Sequence, residues 1–242
     1  HIVEYACHIV SEAACGDHVG RNLRVKSEVV PIVRRVVDRQ DRPADLGPAA
    51  DFAQQVDDLL DVLDGSGPAV VAGHSYGGTI ALGAAAREPD RVRGLVVYES
   101  PMPWMPWWPE RSAGASAVAD ADSAEDAAEA FMRRMIGDAR WSRLPPSTRA
   151  ARRAEGPTLV AEMAHLRPPH PPPFDLAAVT VPVLAVNGSE TAERHARSVR
   201  EIASAVPDGR HVEIEGATHG AHLSHPSEFA GLVRQMTGVP TR

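Results

Sequence analysis

The run AVVAG at 69–73 constrains this chain more than any other stretch. It is short, apolar and rich in β-branched residues. It lacks the polar alternation of a half-exposed strand, so it reads as a strand buried on both faces of a sheet. It passes without a spacer into GHSYGG at 73–78 and then into the small-residue stretch 77–87, a helix pattern that must stop before Pro89. A buried strand, a glycine-bounded turn and a helix in immediate succession form the repeating unit of a parallel sheet.

The rest of the chain repeats that unit. Phe52, Val56, Leu59, Leu60 and Leu63 recur at helical spacing, with Gly65 as a stop. Buried strands follow at 92–100, 181–188 and 210–216, and helices at 191–207 and 226–238, the last with Pro226 in its first turn. Residues 101–180 interrupt the alternation. They open on PMPWMPWWPE, which holds three of the four tryptophans, and continue into a helix at 123–137 that Ser123 and Asp126 can cap. A second helix around 147–166 and the stiff link RPPHPPP at 167–173 complete the insert. A tryptophan cluster of this kind calls for something to cover, so the insert reads as a small helical cap over the carboxyl edge of the sheet. The expected plan is a core of 1–100 and 181–242 with a cap insert at 101–180.

Composition narrows the function. With 242 residues and 43% apolar content the chain can bury a substantial core. A formal charge of −7 argues against nucleic acid as a partner. No apolar run approaches the roughly 18 residues of a membrane helix. Cys7 and Cys15 are too few for a disulfide scaffold, and no Cys/His cluster has zinc-site spacing. Glu4, His8 and Glu12 interrupt the opening apolar run, which does not read as a secretory leader, so a cytoplasmic protein is expected.

Chemistry concentrates at the turn. Between a buried strand and a helix, Gly-x-Ser-x-Gly has the context of a nucleophile elbow, which lifts the Ser75 oxygen above the sheet. Gly73 and Gly77 let the two backbones pass closely, and the N–H of Tyr76 stands at a helix start where it can meet an oxyanion. A serine needs a base. His219, just after the last strand, lies at the sheet edge where Ser75 should emerge. His222 and His225 are near it, but His225 precedes Pro226 and marks a helix start, while His74 is placed to support the turn.

The order of elements, GHSYGG at 73–78 and GATHGAHLSHPSEFA at 216–230 together resemble an α/β-hydrolase fold enzyme over residues 51–242. The resemblance implies an α/β fold class: a mainly parallel sheet with helices on both faces and a small helical cap. It also implies a Ser–His–acid triad and acyl transfer of the esterase type, with no metal or organic cofactor. In most of the family the acid is an aspartate after the strand matching 181–188. Here that position holds Thr191, with Glu190 one residue earlier. A second arrangement puts the acid after the strand that follows the nucleophile helix, which is Glu99. That stretch, with the Pro- and Trp-rich sequence after it, resembles haloalkane dehalogenases. Their nucleophile is an aspartate where this chain has Ser75, so dehalogenation does not carry over. A carboxylate at the end of a buried strand needs a partner. That favours Glu99 over Glu190, with Asp175 and Glu193 more remote.

The first fifty residues fit less well, and the N-terminal strands are expected to be atypical or incomplete. The family's second oxyanion donor commonly follows an early strand ending in His-Gly, and none stands there. The stretch 33–43 reads as the strand before the helix at 51. Asp38 matches the family's Asp-x-Arg-Gly-x-Gly, but Gln40, Asp41 and Pro43 replace its Arg and glycines. The segment also holds the only lysine, Lys26, and is read as truncated, divergent or frame-shifted.

The expected function is a serine hydrolase of small to medium apolar carboxylic esters. Ser75, His219 and Glu99 form its triad, and Tyr76 provides an oxyanion contact. Trp104, Met105, Trp107 and Trp108 either line the mouth of the pocket or pack the cap to the core. The alternatives are a lyase or perhydrolase on the same triad, or a catalytically impaired relative that binds apolar ligands. The partner is a small ester, with no nucleic acid and no membrane. The oligomeric state is left open.

Overall fold

Each uninterrupted apolar run becomes a strand with both faces covered. The computed structural model describes residues 7–10, 35–37, 51–64, 67–110, 112–165 and 171–238. The strands are β1 (Cys7–Val10), β2 (Arg35–Val37), β3 (Ala69–His74), β4 (Val92–Tyr98), β5 (Val183–Gly188) and β6 (Gly209–Ile214). They form one six-stranded sheet in the order β2-β1-β3-β4-β5-β6. From β3 to β6 every neighbour is parallel. Every residue of β3 and β5 is buried, which is why their sequences lack polar alternation. At the open edge, β6 carries Arg210, His211 and Glu213 outward, polar side chains that discourage further pairing.

Among the described residues, two compact units form: 51–55, 102–110, 112–165 and 171–173 belong to the first, and 7–10, 35–37, 56–64, 67–101 and 174–238 to the second. In the second, α1 (Phe52–Asp64) buries Val56, Leu59, Leu60 and Leu63, the predicted stripe. The small-residue helix α2 (Tyr76–Arg87) packs against β3 and β4. After the helices of the first unit, the chain returns to this unit as β5. The helix α8 (Glu193–Ala205) packs on β5 and β6, and α10 (Pro226–Thr237) on β3 and β4. Ala72, Val96, Tyr98, Leu184 and Val186 share one face with Phe229 and Val233 of α10. Val71, Leu95, Val97 and Ala185 are buried too and point to the other face, as a period of two requires.

The first unit holds α3 (Ala113–Ala119), α4 (Ala124–Ile136), α5 (Asp138–Ser142), α6 (Pro146–Ala154) and α7 (Gly156–His165). Ser123 caps α4: its Oγ accepts the Asp126 N–H at 3.1 Å and donates to the Asp126 carboxylate at 2.7 Å. The single helix expected around 147–166 is two. Pro157 has no N–H for the next intrahelical bond, so the helix ends before Gly156 and restarts. Trp141 and Met132 form a small core with Phe131, Ile136 and Leu144. Glu129 ties it together, accepting from Trp141 Nε1 at 3.1 Å and Arg153 at 2.6 Å. The short α3 and α5 were not read from the sequence. A helix of two turns or fewer leaves no clear period.

The atypical start is visible in the pairing. β1 is antiparallel to β3, with Cys7 opposite Gly73 and Val10 opposite Val70. The amino end of β1, not its carboxyl end, therefore lies beside the end of β3. The expectations for Cys15, Lys26, Asp38, Gln40, Asp41 and Pro43, and for a second oxyanion donor in that segment, lie outside the described residues.

Packing of α8 on the sheet gives a test. Ile202 is 1% exposed. Ile202→Ala should cost about 2–5 kcal/mol in urea denaturation, with the m-value unchanged. A cost below about 1 kcal/mol would mean that α8 does not close this side of the core.

Candidate active site

Parallel register brings the strand ends level. His74 of β3 pairs with Tyr98 of β4, Tyr98 with Val186 of β5, and Gly188 with Ile214 of β6. Whatever follows these strands therefore meets along one edge, the usual place for a site in a parallel α/β sheet. Ser75 follows β3, Glu99 follows β4, and His219 stands in the loop after β6.

Ser75 has φ 53° and ψ −127°, a conformation costly for a residue with a side chain. The surroundings hold it there. Its N–H donates to Tyr98 O at 2.8 Å, extending the β3–β4 ladder by one residue, and its carbonyl accepts the Gly78 N–H at 2.9 Å as α2 begins. A Cβ on Gly73 would lie 2.5 Å from the Gly78 Cα, so no larger residue fits the elbow. Ser75 is 8% exposed.

Glu99 repeats this geometry one strand over. Its φ is +49°, and its N–H donates to Val186 O at 2.9 Å. The side chain is 0% exposed. Oε1 accepts the Gly188 N–H at 3.0 Å and Oε2 accepts His219 Nδ1–H at 2.6 Å. Burial pushes the carboxyl pKa up. The hydrogen bond and charge of His219, the Gly188 N–H and the Thr191 hydroxyl outweigh it and hold the pKa below the usual carboxylate range.

The His219 loop is pinned from below. A Cβ on Gly188 would stand 2.0 Å from the Ala217 carbonyl, so glycine lets the loop cross the end of β5. The Tyr98 hydroxyl donates to Thr218 O, and His74 Nε2–H donates to His219 O at 2.7 Å. Burial, then the charge of Glu99, push the Tyr98 phenol far up in pKa, so it keeps the proton that it donates. His74 thus holds the His219 loop rather than the Ser75 turn that its place in the sequence suggested. Its ring lies 4.7 Å from that of His219 and 4.5 Å from that of His222.

The other candidates stand elsewhere. Glu190 is exposed, and its N–H donates to Ala217 O at 3.0 Å. Thr191, at the usual position of the acid, touches Glu99 instead. Glu193 pairs with Arg200, and Asp175 caps a turn through the Ala177 N–H. Tyr76 opens α2. Trp104, Met105, Trp107 and Trp108 belong to the helical unit, where the Trp107 and Trp108 rings lie 5.8 Å apart.

Sequence reasoning missed His195. It lies on the buried face of α8 with Ser198, Val199 and Ile202, and its ring is 4.8 Å from that of His219. A polar residue on an otherwise buried helical face was the available signal. Burial first, then the nearby His219, depress its pKa to about 3, so it is neutral at neutral pH.

Comparison with known proteins identifies the fold. A family model described as "Alpha/beta hydrolase family" matches residues 17–232. The chain belongs to the alpha/beta hydrolase family. It is therefore an enzyme, and the match carries the family resemblance well upstream of residue 51. Pimeloyl-[acyl-carrier protein] methyl ester esterase of Neisseria meningitidis serogroup B is 28% identical over 224 residues, 80% of this chain and 75% of that protein. Among solved structures, Est816, described as an N-acyl homoserine lactone degrading enzyme, is 25% identical. Its TM-score is 0.56, and the match covers 81% of this hydrolase and 77% of Est816. The enol-lactonase from Burkholderia xenovorans LB400 shares the fold at 21% identity, with a TM-score of 0.55 and coverage of 77% and 73%. Among the described residues of this α/β hydrolase, no helix is long and apolar enough to cross a membrane.

The depressed pKa of His195 sets the sign of a pH effect. The folded residue resists protonation down to about pH 3, whereas the unfolded residue takes up a proton near 6.5. Its stabilising contribution is full above pH 6.5 and is lost as pH falls toward 3. Glu99 also has a lowered folded pKa, so its contribution is lost only below about pH 4.5. Between pH 6.5 and 4.5, the Tm of the parent should fall more steeply than that of His195→Gln, read by thermal unfolding. Equal slopes would mean that His195 is not held neutral.

Proposed function

We propose that this α/β hydrolase is a serine hydrolase of small to medium apolar carboxylic esters, with Ser75 as nucleophile, His219 as base and Glu99 as the acid that positions it. One observation carries the reading: the 2.6 Å contact of His219 Nδ1 with the buried Glu99 carboxylate, at the edge where the strained Ser75 turn emerges. With Nδ1–H given to Glu99, the lone pair of His219 is on Nε2, the tautomer that a general base needs. Glu99 also stabilises the imidazolium once it forms.

The reaction follows from these roles. Ser75 Oγ attacks the ester carbonyl while His219 Nε2 takes the hydroxyl proton. The negative charge of the tetrahedral intermediate meets the N–H of Tyr76 at the amino end of α2, where the helix dipole favours an anion. Collapse breaks the carbon–oxygen bond, and His219 returns its proton to the departing alcohol. Water, deprotonated by the same nitrogen, then attacks the acyl-enzyme and frees the acid and Ser75. In this reading Trp104, Met105, Trp107 and Trp108 provide apolar surface for the acyl chain. The names of the Neisseria esterase and of Est816 both refer to carboxylic ester bonds, open-chain in one and cyclic in the other, which agrees with this substrate class.

The test is hydrolysis of p-nitrophenyl acetate, butyrate and hexanoate. Ser75→Ala should lower kcat by about 10⁴–10⁶, and Glu99→Gln by about 10⁴, each with the fold intact by circular dichroism. Glu190→Gln should stay within about twofold of the parent, a change too small to mark a group in the triad. Loss of activity in Glu190→Gln with retention in Glu99→Gln would move the acid to the other loop. Absence of turnover in the parent, with Ser75 still labelled by a fluorophosphonate, would favour the lyase or perhydrolase alternative.

The apolar role of the tryptophans has its own readout. Trp107→Ala should raise KM for the hexanoate ester by about tenfold and leave kcat for acetate within a factor of about two. An equal change for both esters would assign Trp107 to packing alone.

A further inference from the structure

Glu99, His195 and His219 come from three elements far apart in the chain: the end of β4, the first turn of α8 and the loop after β6. No zinc-type spacing relates them. The fold nevertheless brings one ligand atom of each to within 4.8 Å of the others. The set is two imidazoles and a carboxylate, the donors of a three-ligand zinc centre with a fourth position for solvent. Tetrahedral zinc, with ligands at about 2.1 Å, holds its donors about 3.4 Å apart. His219 Nδ1 and Glu99 Oε2 are 2.6 Å apart, so that pair must open by about 1 Å, while the remaining pairs lie within 4.8 Å. Small side-chain rotations supply such changes. The His219 side chain is 20% exposed, which gives an ion a route in, while Glu99 and His195 form a buried floor.

A further feature suits a metal: Glu99 is already held as a carboxylate by the Gly188 N–H on Oε1, leaving Oε2 to ligate. The site is compact enough for one ion only.

We propose that Glu99, His195 and His219 bind a single zinc-class divalent ion, and that the bound ion switches the enzyme off. The metal replaces the hydrogen bond between His219 Nδ1 and Glu99 Oε2, and the Nδ1 proton moves through solvent to Nε2, which leaves His219 a neutral imidazole without the lone pair that Ser75 needs. His219 then lacks the partner that orients it, and its charge cannot be balanced by Glu99 when Ser75 must lose a proton. The switching rests on the reading of His219 as base in the proposed function. The binding rests on the cluster alone.

The experiment is a zinc chloride titration of chelator-stripped, buffer-exchanged protein against a chromogenic zinc chelator. Ester hydrolysis is followed in parallel. One zinc per chain should bind. His195→Gln and Glu99→Gln, each checked for folding by near-UV circular dichroism, should weaken binding by more than about tenfold, a loss seen even when an outer partner of a metal ligand is removed. His225→Gln, outside the cluster, should bind as the parent does. At zinc ten times Kd, parent esterase activity should fall to about a tenth, the unoccupied fraction. His195→Gln should show the same rate with and without zinc at that concentration, a ratio read within the variant. Absence of saturable binding, or binding that survives both His195→Gln and Glu99→Gln, overturns the site. Binding as expected without inhibition overturns the switch. If the parent hydrolyses no ester even without zinc, the proposed function fails, and the titration alone decides the site.

Discussion

A carboxylate with no exposed surface must be fully partnered, and the candidate site is built around satisfying Glu99. Removing an ionised group from water costs several kcal/mol unless charge and hydrogen bonds are returned to it. Three elements return them here: the first residue past β4 holds the carboxylate, the end of β5 donates the Gly188 N–H, and the loop after β6 delivers His219. Removing any one leaves a buried charge underpaired. The requirement therefore binds the three strand ends together and fixes where the histidine loop must lie. The smaller contacts follow from it. Gly188 lacks a side chain because Ala217 crosses above it, and Tyr98 and His74 hold the carbonyls of Thr218 and His219 from beneath.

Backbone strain is concentrated at the same edge. Ser75 and Glu99 are the non-glycine residues with positive φ among those described. Each comes immediately after a parallel strand and still donates its N–H to the next strand. The ladder thus runs one residue beyond the extended backbone, and the chain must turn sharply to leave. Strain of this kind persists only where surrounding bonds over-determine it. The ladder bond, the start of α2 and the close approach at Gly73 do so for Ser75. The ladder bond and the Gly188 contact do so for Glu99. Two residues are thereby held at the sheet edge on rigid elements, as the proposed acyl transfer asks of its nucleophile and of the acid that orders its base.

His195 gives the site a second character. Neutral, buried and packed beside His219, it adds a third donor to a pair that the proposed hydrolysis already uses. Metal ligation at His219 Nδ1 would take the place of the hydrogen bond to Glu99 on which the proposed role of His219 as base depends.

How much of this could be read from the sequence depends on range. The buried strands, the helices flanking them and the elbow at Ser75 were legible because each is written in contiguous residues: apolar runs, helical spacing, glycines bracketing a serine. The break at Pro157 was equally local and was passed over in favour of a continuous helical pattern. Glu99 and Glu190 both end up beside the loop that carries His219, and the sequence separated them by the cost of burying an unpaired carboxylate and by the resemblance of the stretch at Glu99 to haloalkane dehalogenases. His195 was not legible as a site residue, since nothing within its own helix says which loop its buried face will meet. The antiparallel seat of β1 was hidden for the same reason. The sequence by itself determined the buried strands β3, β4 and β5, the longer helices that flank them and the sharp turn at Ser75, because those depend on neighbours along the chain. The tertiary structure alone decided that Glu99, His195 and His219 meet, because their contact depends on parallel register and on the crossing of a loop over Gly188. Those constraints act between residues about a hundred positions apart in the chain, and no local pattern records them.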